Sequence, residues 1–139
     1  MTKNYKFIDH TADIAILVSG NDLMALFHNA SVALLDILFK VSSINGEEPY
    51  EIRASGDDQE ELLINFLREI FFKFVVDGVA LNDIKIEKLT DRMIVARALG
   101  EKFDPDQHIL NTEIKAVTYH DVKITKVKDK YNVTLVMDT

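Results

Sequence analysis

Three short stretches of this 139-residue sequence collect the residue types that do chemistry. Asp9-His10-Thr11-Ala12-Asp13 sets two carboxylates around an imidazole and a hydroxyl. Carboxylates on a short rigid loop are hard oxygen ligands of the kind calcium and magnesium take. The competing reading has Asp9 or Thr11 capping a turn and Asp13 solvated, and on spacing alone it is the more economical one. The second stretch is Met137-Asp138-Thr139. If Tyr131, Val133, Leu135 and Met137 share one face of a last strand, Asp138 faces the other way. The sequence stops there, so a terminal carboxylate on Thr139 would sit beside that of Asp138. Like charges that close must repel, shift a pKa or recruit a cation; the alternative is a frayed, solvated end. The third stretch is Gly100-Glu101-Lys102-Phe103-Asp104-Pro105-Asp106-Gln107-His108, followed by Thr112-Glu113-Ile114-Lys115-Ala116-Val117-Thr118-Tyr119-His120. His108 and His120 fall on different elements and define no ligand geometry, so a structural role suits each better. His28 lies within a predicted helix and is assigned no function.

The elements that must position these residues follow from periodicity. Residues 5–8 and 13–19 read as short strands around the polar insert 9–12. In the second, Ile14, Ile16 and Val18 alternate with Ala15 and Leu17, as in a strand buried on both faces. Asn21 or Asp22 caps a helix running to about Lys40, whose apolar residues from Leu23 to Leu38 recur every three or four positions. A polar segment with an Asn45-Gly46 turn leads to a strand at 50–54. Ser55-Gly56-Asp57-Asp58 then caps a second helix, with Glu60 and Glu61 in its first turn and Gly78 as its stop. Strands are predicted at 83–89, 92–99, 112–117, 121–128 and 131–137, and a loop at 100–111. No internal repeat, low-complexity run or linker is apparent. The pattern predicts one α+β domain over 1–139: a mainly antiparallel sheet of short strands, with two amphipathic helices on one face. The phenylalanines of the second apolar stripe, Phe66, Phe71 and Phe74, belong to the core.

Composition excludes several classes. With no Cys there is no disulfide scaffold, zinc ribbon, redox pair or thiol nucleophile. The sequence also lacks a Gly-rich phosphate loop, HExxH, GxSxG and an EF-hand. A net charge of −7 disfavours a nucleic-acid groove, because the basic residues are scattered and the densest run, Lys123, Lys126, Lys128 and Lys130, is interrupted by Asp121 and Asp129. A basic protein partner suits the charge better. No signal-peptide core or membrane span is visible, so the expected location is the cytoplasm.

Taken in order, DHTAD at 9–13, GEKFDP at 100–105 with His108, TEIKAVTYH at 112–120 and the acid at 138 resemble the archease family across essentially the whole chain. The resemblance implies an accessory protein, not itself an enzyme, that promotes guanylylation and turnover of the RtcB-type tRNA-splicing RNA ligase, meeting tRNA only through that ligase. It also implies a bound divalent metal, calcium in the family pattern, with magnesium and manganese as alternatives. The family ligands fall on Asp13, Asp138 and the main-chain oxygen of Thr139. Family members often end in an aliphatic residue, and Thr139 departs from that. Two other classes compete: a metal-dependent hydrolase using Asp9, His10 and Asp13, and a chaperone-like interaction module.

Overall fold

The computed structural model describes residues 4–8 (backbone alone at 7 and 8), 13–119 and 122–139. Asp9, His10, Thr11, Ala12, His120 and Asp121 therefore lie outside the described residues. The elements run β1 (Tyr5–Ile8), β2 (Asp13–Gly20), α1 (Leu23–Leu38), β3 (Glu48–Ser55), α2 (Gln59–Val75), β4 (Val79–Leu89), β5 (Met93–Lys102), β6 (Ala116–Thr118), β7 (Thr125–Val127) and β8 (Lys130–Asp138). A 3-10 turn at Val41–Ser43 follows α1. No helix among the described residues is long and apolar enough to cross a membrane.

The α+β class expected from the sequence is the one observed, and all strand pairing is antiparallel. The strands divide between two sheets. One has the order β1-β2-β8-β6, with β7 also on β8; the other has the order β3-β5-β4. Each helix packs on both sheets, α1 on β2 and β4, α2 on β3, β4 and β6. A helix between two sheets must be apolar on more than one side. In α1 the buried set Leu26, Phe27, Ala30, Ser31, Ala33, Leu34, Leu35, Ile37 and Leu38 spreads beyond a single stripe. The ring of Phe27 meets Phe66 of α2 at 6.4 Å in the centre of the core.

Several boundaries differ from those predicted, among them the strand expected at 121–128, which is strand only over Thr125–Val127 among the described residues. Strand β4 begins at Val79, because Val79, Ala80 and Leu81 are all buried and show no alternation. Strand β5 runs through Lys102, so Gly100 and Glu101 belong to a strand and not to a loop. Residues 112–115 are not strand; their backbone serves other elements, as described below.

The sequence also contains a repeat that inspection of residues alone missed. Ser19-Gly20-Asn21-Asp22, Leu26 and Asn29 recur, identically spaced, as Ser55-Gly56-Asp57-Asp58, Leu62 and Asn65. The two copies adopt one geometry. Asp22 and Asp58 share φ −143° and ψ 177° and accept from Ala25 N–H at 2.7 Å and Glu61 N–H at 2.8 Å. These are N-caps that satisfy free donors of the first turn. Asn29 and Asn65 each donate at 2.8 Å to the strand-end carbonyl of Ser19 and Ser55. A Cβ on Gly20 would fall 2.4 Å from Leu26 N, and one on Gly56 would fall 2.5 Å from Leu62 N. Only glycine lets each helix start fold back onto its strand. Five shared residues, Ser, Gly, Asp, Leu and Asn, are too sparse to register as a repeat until the coordinates align them.

Because the two turns are alike, Gly20→Ala and Gly56→Ala should each destabilise by about 1–3 kcal/mol through backbone overpacking. Urea unfolding of the two variants checks this, and unequal effects would mean that one turn can relax.

Candidate functional site

Asp13 and Asp138, first and last residues of β2 and β8, are directly opposite one another in the antiparallel register. Residues so paired place their Cβ atoms roughly 4.5–5.5 Å apart on one face of a sheet. The face follows from the neighbours. Ile14 pairs with Met137, Ile16 with Leu135 and Val18 with Val133, and these point into the core toward the helices. Asp13 and Asp138 therefore share the opposite face with Ala15, Leu17 and Val136. Asp138 is exposed, while Asp13 and Thr139 are partly covered. Two acids far apart in sequence thus become neighbours, as the alternation of β8 requires.

Fraying, the competing expectation for residue 138, is opposed on both sides of β8. Strand β2 pairs along one edge and β6 along the other, with Ala116 opposite Asp138. Lys115 N–H donates to the Asp138 carbonyl at 2.8 Å, and Thr118 Oγ1 donates to the Val136 carbonyl at 2.8 Å. β6 is in turn tied to α2 by Arg68 Nε, which donates to the Val117 carbonyl at 3.0 Å. Just upstream, Asn111 N–H and Thr112 N–H donate to the carbonyls of Leu38 and Ile37, and the Asn111 amide donates to those of Asp36 and Phe39. That segment caps the C-terminal end of α1, whose last carbonyls have no partner within the helix. Residues 111–118 are thus a strap from the end of α1 to the acid pair. Asn111 went unremarked in the sequence because its partners lie some seventy positions away.

The GEKFDP segment with His108 forms a separate, structural unit. His108 is 4% exposed. Its Nδ1 accepts from Asp104 N–H at 2.9 Å, so Nε2 carries the proton that points at Glu101 Oε1, 2.7 Å away. The same carboxylate oxygen accepts from Asn45 N–H at 3.0 Å. Phe103 packs against Phe74 at 5.1 Å, Phe39 at 6.4 Å and the His108 ring at 5.7 Å. Gly46 lies so close to Gly100 that a Cβ on it would fall 2.1 Å from the Gly100 carbonyl carbon. Glu101, Asp104 and His108 are engaged in holding the loop closed, which is the role anticipated for a lone histidine.

The donor set at the acid pair suits a hard cation. Two carboxylates and the adjoining main-chain oxygen of Thr139 are oxygen ligands, and opposed like charges on a sheet are destabilising until neutralised. Three protein oxygens fall short of the six to eight that calcium takes. Among the described residues no group of three or more His, Asp or Glu side chains is placed to hold a metal. Asp9 and His10 lie outside the described residues. A cleft of about 300 Å³ between the first turns of the two helices is lined mainly by apolar groups, among them Leu23, Met24, Phe27, Leu62 and Leu89. It adjoins the Gly20 end of β2, the end away from Asp13.

The arrangement matches known proteins over its full extent. The model of the Archease protein family (MTH1598/TM1083) matches residues 5–139. This chain belongs to the archease family. The protein archease of Methanosarcina acetivorans is 34% identical, covering 98% of this chain and 96% of its own. That of Pyrococcus abyssi is 39% identical over 91% and 92%. Among solved archease-like structures, the solution structure of Methanobacterium thermoautotrophicum protein 1598 superposes with a TM-score of 0.82 at 26% identity, covering 99% of this chain and 100% of that one. The crystal structure from Thermotoga maritima described as "an archease, possible chaperone" gives 0.67 at 27% identity, with 96% of each chain covered. None of these names states an enzymatic activity.

The His108 hydrogen bond, followed by Asn45 N–H, holds the Glu101 carboxyl below the usual carboxylate range. A depressed folded pKa means that Glu101 stabilises the fold at neutral pH. That contribution disappears as pH falls below the ordinary Glu value and through the lowered folded one. Thermal unfolding between about pH 6 and about pH 3 should therefore fall more steeply for the wild type than for Glu101→Gln. Parallel curves would show that the His108–Glu101 bond carries no pH-dependent stability.

Proposed function

We propose that this chain is an activator of an RtcB-type RNA ligase and that Asp13, Asp138 and the Thr139 main-chain oxygen form its divalent-metal site, for calcium first. The observation that carries this reading is the direct cross-strand pairing of Asp13 with Asp138. A bound cation would supply positive charge and open coordination positions there. The chain's own part is to hold two carboxylates side by side on a braced strand end, on the sheet face away from the helices. Three protein oxygens leave the rest of the shell to water or to groups of a partner. Such a site strengthens when a partner adds ligands, which couples metal binding to docking. The ligase would then be shifted toward the form competent for nucleotidyl transfer. The net charge of −7 favours association with a basic, RNA-binding surface.

A chaperone-like role is favoured by one observation. Phe72 and, one turn further on, Val75 and Val76 at the end of α2 are 43%, 50% and 73% exposed. That role depends on apolar contact and should be indifferent to Asp13.

The deciding experiment is multiple-turnover RNA ligation by a ligase from the same source, with and without this protein. Asp13→Ala and Asp138→Ala should each lower the stimulation about tenfold or more, within the range typical of lost metal-site groups. Thr139→Ala should preserve it, since only its main chain is used. Full stimulation by both Asp variants would refute the metal-site reading.

A further inference from the structure

The acid pair is only as well placed as the strand end that carries it. The Asp138 carbonyl accepts the Lys115 N–H at 2.8 Å. This bond orients the peptide that leads into Thr139, whose main-chain oxygen is the third proposed ligand. Lys115 directly precedes β6, so its position is set by a strand of three residues. β6 ends the sheet, beyond β8, and packs on α2. So short an edge strand makes few ladder bonds and opens readily. Ile114 and Val117 are buried and hold the segment against the core. Apolar burial is non-directional and does not fix where a carbonyl points; a hydrogen bond does.

That bond comes from Arg68 on α2. Its Nε donates to the Val117 carbonyl at 3.0 Å, one residue along β6 from Ala116, which stands opposite Asp138. Arg68 is half-buried, and among the described residues it forms no ion pair in a chain with 23 acidic residues. A guanidinium placed for its charge would face a carboxylate; this one is aimed at a backbone oxygen. A charged donor makes a stronger hydrogen bond than a neutral one. The helix itself is fixed in the core by Phe66, Leu67, Ile70 and Phe71. Support therefore runs from the core through α2, Arg68 and β6 to the Asp138–Thr139 peptide.

We infer that Arg68 is a positioning residue for the cation site: it seats β6, and the seating of β6 is coupled to cation binding at Asp13, Asp138 and Thr139. This coupling rests on the metal-site reading above. It is reciprocal: whatever factor the seated strand adds to cation affinity, the bound cation adds to the seating of the strand. The positive charge of Arg68 by itself repels a cation. Charge and position thus act with opposite sign. If charge were its whole effect, removing Arg68 would strengthen calcium binding; as a positioning residue, its removal weakens it. If Arg68 only satisfied a strand carbonyl, its loss would cost stability and leave calcium affinity unchanged.

The test is calorimetric titration of the full chain with calcium, beside NMR hydrogen exchange of residues 115–118 with and without calcium. Arg68→Met should bind calcium about fivefold or more weakly than the wild type, despite having lost a positive charge. Its amides at 115–118 should exchange faster, and calcium should slow that exchange in both proteins. Thr118→Val removes the other side-chain brace of β6, the 2.8 Å bond to the Val136 carbonyl, with no change of charge. It should weaken calcium binding in the same direction, and it carries the test if Arg68→Met does not fold. Unchanged or tighter calcium binding in Arg68→Met overturns the inference, as does exchange at 115–118 that calcium leaves unaltered. A wild type that takes up no calcium overturns the metal-site reading and the coupling with it. A wild type that binds calcium no better than Arg68→Met overturns the coupling alone.

Discussion

Strand β8 is paired on both edges up to its last residues, and that constraint fixes the acid pair. Its pairing with β2 sets Asp13 against Asp138, and its pairing with β6 removes the freedom that a strand end would otherwise have. Backbone hydrogen bonds are non-negotiable in a sheet: register, once set, decides the face of every side chain. A slip of one residue would turn Met137 out of the core and Asp138 into it. The burial of Val133, Leu135 and Met137 therefore holds the two carboxylates on one face of the sheet. The acid pair is maintained by hydrophobic packing on the other face of the same strands.

Around that constraint the motifs of the sequence divide their labour. Residues 111–118 strap the end of α1 to the end of β8, so the helix layer and the acid pair share one set of supports. The segment from Gly100 to His108 closes a loop over Phe39, Phe74 and Phe103, with Glu101 and Asp104 occupied in binding the histidine. Of the three stretches that offered chemistry, the two halves of the third prove to be scaffold and brace, while Asp13 of the first faces Asp138 of the second. Tyr5 is a further example of a polar group engaged in structure: its hydroxyl donates to Asp36 of α1, and burial first, with that bond, pushes its pKa up to about 12.

The helices were legible in the sequence because Asp22 and Asp58 announce their starts and the apolar spacing carries them to Leu38 and Val75. The outward turn of Asp138 was legible as well, since alternation in Tyr131, Val133, Leu135 and Met137 dictates it. The division into two sheets was not, because strand alternation reports a face and not a partner. The continuous burial of Val79, Ala80 and Leu81 concealed the start of β4, and the backbone role of Asn111 depends on contacts remote in sequence. The turn between β7 and β8 was hidden, since Lys128-Asp129 lacks the Asn-Gly signature that would have announced it. The duplicated strand-turn-helix unit escaped notice for a related reason: its signal lies in caps and close contacts, not in the apolar pattern.

The central claim is that Asp13 and Asp138 are held together to bind a cation, and thermal unfolding with and without calcium tests it most directly. The wild type should gain stability on addition of calcium. Asp138→Asn should gain little, and without metal it should equal or exceed the wild type, because it relieves a like-charge pair. Equal stabilisation of wild type, Asp13→Asn and Asp138→Asn by calcium, or no stabilisation of any of them, would contradict the account.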